Sequence, residues 1–119
     1  GFMATDKMIA EKPNEIKKWL RAMARSLMFI RERPEEAADI ALKKLPMGNM
    51  SRALVVEGIR RFAKALPDGI PGMPSAQGIK NVIEYDVKAP LKTKEDVPVE
   101  KVMSLRLMRE VKEELESKR

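Results

Sequence analysis

The sequence contains no cysteine and no histidine among its 119 residues. Without cysteine there are no disulfides and no thiolate nucleophiles. Without either residue there is no imidazole general base, and the usual ligands of zinc, haem and iron–sulfur clusters are missing. Aromatic side chains are also scarce. Phe2, Trp19, Phe29, Phe62 and Tyr85 are the whole set, too few for a surface on which nucleobases stack. No apolar run approaches the roughly 18 residues that a membrane-spanning helix requires. The opening residues Gly1-Phe2-Met3-Ala4-Thr5-Asp6 lack the basic start and apolar stretch of a secretory signal. They fit a start at Met3 behind two left-over residues, or a piece of a longer protein.

What the sequence does have is charge and helical periodicity. Lys and Arg number 24 against 18 Asp and Glu, a net charge of +6. The length suits one domain over residues 1–119, able to bury roughly two-thirds of its unfolded surface. From Lys12 to Arg31, Ile16, Trp19, Leu20, Met23, Leu27 and Ile30 recur at three and four, marking one face of a helix. Pro13 suits the first helical position, and Glu15 complements the helix dipole. Glu32-Arg33-Pro34-Glu35-Glu36 then echoes Glu11-Lys12-Pro13-Asn14-Glu15, so one helix breaks at Arg33 and another starts. That second helix carries Ala37, Ala38, Ile40, Ala41, Leu42 and Leu45, and ends before Pro46.

Asn49 or Ser51 caps a third helix with Leu54, Val55, Ile59, Phe62, Ala63 and Leu66 on its apolar face. The proline- and glycine-rich run from Pro67 to Pro74 stops it. Ser75 caps a fourth helix that faces Ile79, Val82, Ile83 and Val87 inward. Residues 88–98, with Pro90 and Pro98, read as an extended connector, and a last helix runs from about Val99 to the C-terminus. Residues 1–11 allow a strand end followed by one helical turn. The expected fold is mainly α: about five helices in one compact domain, with at most a short N-terminal strand.

The residues offer little chemistry. Carboxylates sit at helix starts (Glu15, Glu35, Glu36) or on the charged last helix, where capping and solvation account for them. Glu35, Glu36 and Asp39 lack the alternating loop ligands of a hard-cation site. Gly69 and Gly72 flank Ile70-Pro71, and a proline removes an N–H that a phosphate cradle would use. The sequence therefore reads as non-enzymatic, with no catalytic residue, no metal ligand, no cofactor and no assignable ligand-binding residue. The basic residues prompt a nucleic-acid reading. Residues 14–33 carry a net +4 and residues 52–64 a net +3, so Arg21, Arg25, Arg60 and Arg61 could form one patch. Gln77 and Asn81 are the only obvious amides for base edges. The charges are spread around the helices, however, which fits a solvated surface. Met3, Met8, Met23, Met28, Met103 and Met108 read as core filler, and Trp19 as a core anchor.

Thr5-Asp6-Lys7-Met8-Ile9, then Lys12-Pro13, the helix through Trp19, Met23 and Phe29, and Arg33-Pro34-Glu35-Glu36-Ala37-Ala38 together resemble a known pattern. It is the C-terminal part of the nitrate-, sulfonate- and taurine-type periplasmic substrate-binding proteins of ABC importers. The resemblance covers residues 1–45 well and 49–112 in outline. It implies a fragment of a two-lobe α/β fold, periplasmic or extracellular, with any membrane anchor belonging to the full-length protein. It also implies a small organic or anionic solute and an ABC permease as partners of the full protein. Thr5 and Asp6, at the exit of the implied strand, are the only residues that could approach the binding cleft. Helices that normally pack on a sheet would expose apolar faces, with Ile16, Trp19, Met23, Leu54, Ile59 and Phe62 as candidates, and would self-associate. A small basic nucleic-acid-binding domain and a plain helical dimerisation module are the alternatives.

Overall fold

The computed structural model describes residues 3–118; Gly1, Phe2 and Arg119, and with them part of the expected N-terminal strand, lie outside the described residues. Helix makes up 71% of the chain, and no strand occurs among the described residues, so the fold is mainly α. Met3 and Ala4 carry no regular structure, and Thr5 caps a helix, so 3–5 have no partner with which to form a strand.

The first three helices follow one another through two similar breaks. α1 (Asp6–Glu11) starts where the Thr5 hydroxyl accepts the Met8 N–H at 3.2 Å. α2 spans Pro13–Glu32 and α3 spans Pro34–Lys44. The residue before each proline is pushed out of the α region: Lys12 has φ −130°, ψ 47° and Arg33 has φ −135°, ψ 61°. In each case its N–H still reaches back to the preceding turn, to Met8 in one and Phe29 in the other. The sequence echo is thus a repeated kink.

α4 (Arg52–Ala65) returns against α3 after a turn at residues 46–50, capped by Ser51, whose hydroxyl accepts the Leu54 N–H. Small Ala38 packs against Val55 and Val56, with Ala41, Leu42, Met47 and Ile59 at the margin. α5 (Ala76–Val82), capped by Ser75, continues without interruption into a π-helical segment at Ile83–Lys88 and one further turn, α6 (Ala89–Leu91). The helix therefore overruns the extended connector expected from residue 88. Pro90 lacks an N–H, and the wider π ladder ahead of it accommodates the missing bond. The chain leaves only at Lys92, in the left-handed region at φ 49°. Ile79 and Ile83 are buried as expected, whereas Val82 is exposed.

The expected long last helix is two pieces, α7 (Val99–Val102) and α8 (Arg106–Glu116), separated by Met103–Leu105. The reason lies in register. On a continuous helix the apolar stripe of 99–103 and that of 107–115 would point about 140° apart. The break lets α8 turn its own stripe independently. Leu107, Met108, Val111 and Leu115 are all buried against Ile16, Leu20 and Ala24 of α2, together with Ile70 from the proline–glycine segment. These breaks, with α1 standing apart from α2, are why more helical segments form than the five expected.

The segment after α4 is an inner wedge. Pro71 is fully buried and Gly72 has φ +115°, with the space of a Cβ already occupied by Met108 Cε at 2.8 Å. Met23, Met28, Met73 and Met108 fill the irregular space around it, as flexible thioethers do. Met3 and Met8 are not core filler: both are exposed, and α1 buries no residue. Both the conformation and the contact favour glycine at 72. Gly72→Ala should lower unfolding free energy by about 1–2 kcal/mol. Chemical denaturation measures it, and an unchanged midpoint would show that the wedge is not close-packed.

Candidate functional site

Thr5 and Asp6 have local roles. The Thr5 side chain is the cap of α1 and Asp6 is an exposed acid in its first turn, where the helix dipole favours it. The acids at the start of α3 are equally occupied. Asp39 takes a two-pronged pair from Arg52, Nε to Oδ1 at 2.6 Å and Nη2 to Oδ2 at 2.9 Å. Glu35 accepts from Arg60, and Glu36 lies 3.5 Å from Arg33. No group of three Asp or Glu side chains is arranged to hold a metal ion among the described residues. The Arg52 guanidinium holds the Asp39 carboxyl below its ordinary value and is itself raised by that carboxylate.

The four arginines considered as a phosphate-binding patch are not free to act as one. Arg21 donates to Glu114 at 2.7 Å, Arg60 to Glu35, and Arg61 to Glu57 at 2.8 Å. Only Arg25 is left without a carboxylate among the described residues. The amides of Gln77 and Asn81 bond to each other at 2.9 Å, one turn apart on α5. Two concavities among the described residues are open depressions. One lies over Glu11–Glu15; the other lies between the π-helical segment and residues 96–99 and mixes Lys80 and Lys88 with Glu84 and Asp96. Neither encloses a ligand.

The distinctive surface is apolar. Of the six residues expected on unpartnered faces, Ile16 is buried under α8, and Met23 and Ile59 are half-buried. Trp19, Leu54 and Phe62 stay exposed, at 58%, 60% and 49%. Trp19 is therefore not the core anchor it resembles in sequence. α8 covers the arc of Ile16, Leu20 and Ala24, and Trp19 is turned about 100° from Leu20, past the edge of that arc.

On α4 the apolar residues divide between two faces. Val55, Val56 and Ile59 point toward α3 and Ala63 is buried, while Leu54, Gly58 and Phe62 form a second row at intervals of four. Nothing lies within 4 Å of where a Gly58 Cβ would be, so that row faces open space. Counting every apolar residue of this helix as one face concealed the second row. The signal was available: Leu54 and Val56 are on opposite sides of any α-helix.

The total accessible surface quantifies the exposure. It is 9099 Å², against about 6,500 Å² for a folded monomer of 13.5 kDa, an excess of roughly 2,600 Å². The radius of gyration agrees: 17.1 Å, compared with about 13.5 Å for a close-packed chain of this length. Compared with protein-family models, curated protein sequences and solved structures, the chain matches none.

A group of ion pairs flanks the α2–α8 contact. Lys17 lies 3.1 Å from Glu110 and 3.6 Å from Glu114, beside the Arg21–Glu114 bond. The Arg21 hydrogen bond, with Lys17 adding to it, holds the Glu114 carboxyl below its ordinary value near 4.5. A carboxylate lowered in the folded state stabilises it above the ordinary value, and that contribution is lost as pH falls through the lowered one. Stability should therefore be flat between pH 7 and 5.5 on this account and decline below about pH 4.5. In Glu114→Gln the decline should be shallower. Urea midpoints across pH test this, and identical slopes for both proteins would remove Glu114 from the effect.

Proposed function

We propose that this chain is the non-catalytic C-terminal helical region of a solute-binding protein serving an ABC importer, of the nitrate-, sulfonate- and taurine-type. The observation that carries the reading is the string from Thr5 to Ala38, in which three successive helix starts fall at Thr5–Asp6, Lys12–Pro13 and Arg33–Pro34. The surface excess supports it. Helices that pack against the body of a larger fold carry apolar side chains for that contact, and Tyr85 and Leu91 are exposed in this chain.

On this reading the protein works in the periplasm or outside the cell, and its role is passive. The complete two-lobe protein would close about a hinge on a small organic or anionic solute and deliver it to the permease. The helical region would support one lobe without supplying a complete solute site. Such a role needs no nucleophile or general base. A basic nucleic-acid-binding function has less support, because Arg21, Arg60 and Arg61 already have carboxylate partners.

The test is the coding sequence upstream of residue 1. A signal peptide and a two-lobe α/β domain in the same reading frame are expected there. An in-frame stop codon directly ahead of Met3 would end the transport reading.

A further inference from the structure

Leu54, Gly58 and Phe62 have a property beyond exposure: the row is symmetric about its small central residue. Residues four apart form the ridges that interlock in the commonest class of helix packing. A glycine at the middle of such a ridge lets a second backbone approach closely. We infer that this face of α4 is an interface for a second copy of the same chain, two α4 helices crossing antiparallel about a two-fold axis at Gly58. In that arrangement Leu54 of one copy meets Phe62 of the other, twice. Large side chains fill the space on either side of the crossing, and nothing bulky occupies its centre.

Charge and area both favour this occupant. Glu57 and Arg61 flank the row on the same side and bond to each other within the helix at 2.8 Å. Antiparallel crossing at residue 58 places Glu57 of one copy about 3 Å along the axis from Arg61 of the other, so opposite charges adjoin across the axis. The remaining arginines of α4 are neutralised on the hairpin, Arg52 by Asp39 and Arg60 by Glu35, which limits repulsion between two basic chains. A standard interface takes about 800 Å² from each partner, well within the excess of roughly 2,600 Å². The inference concerns this chain alone and stands apart from the transport reading, so its failure would leave that reading untouched.

The absence of cysteine makes the geometry directly testable. Sedimentation equilibrium of the 119-residue chain should show a dimer, and Gly58→Glu should be monomeric with unchanged helical circular dichroism. Open space around Gly58 lets that variant fold. Under mild oxidation the double variant Leu54→Cys/Phe62→Cys should form a covalent dimer. Each single variant should not, because like positions would be about 12 Å apart along the axis, beyond disulfide reach. A monomeric parent chain at high concentration would overturn the proposal. So would a dimer that survives Gly58→Glu, or single-cysteine variants that cross-link as well as the double one.

Discussion

The contact between α2 and α8 is the constraint on which the arrangement depends. α2 is the longest helix, and it touches every neighbour in the N-terminal half as well as the last helix. α8 in turn reaches the body of the chain chiefly through α2. Its apolar side is a pure stripe, with all four members buried, and its other side is charged throughout. Burying a side chain of Leu, Met or Val size stabilises by about 1.5–3 kcal/mol. Partly exposed ion pairs such as Lys17–Glu110 contribute much less, so the stripe provides the affinity and the charges fix the register. Buried Pro71 and half-buried Gly72 complete the joint by filling the angle between the two helices.

A second unit forms beside it from α3 and α4, with its own small core and its own paired charges. Alanines at 38 and 41 keep the two helices close, and Arg52 and Arg60 tie α4 to the acids of α3. Two small cores joined side by side leave more surface than one large core would. The excess area is thus a consequence of topology. It exceeds what one symmetric interface requires, so the proposed pairing through α4 would leave exposed apolar side chains such as Leu91 elsewhere on the surface.

Helix starts were the most legible feature of the sequence. Ser51 and Ser75 each accept an N–H from the first turn, and both Lys/Arg-Pro pairs produce a break, because capping and proline sterics act within a few residues. Thr5, read at the exit of a strand, caps α1 in the same way instead. The helix over 106–116 was legible as a helix but not as a separate one. Its separation depends on where α2 presents an apolar face, which no local pattern encodes. Pro90 misled for the opposite reason: a local rule called for a break, and a rare π segment absorbed the proline. Trp19 shows the limit of periodicity. It lies on the apolar half of α2, yet only the partner helix decides how much of that half is covered.

The same limit applied to the candidate site. Sequence alone collected Arg21, Arg25, Arg60 and Arg61 by sign, but a phosphate-binding surface needs cations whose charge is still available. Three of the four guanidiniums are directed at carboxylates, two of them on other helices. Net charge counts all ionised groups equally, whereas a partner responds to those left uncompensated at the surface. Once the pairs are removed from consideration, the α4 face is defined less by charge than by Leu54, Gly58 and Phe62. A surface of that kind offers shape and apolar area, the terms on which the proposed pairing of two α4 helices rests.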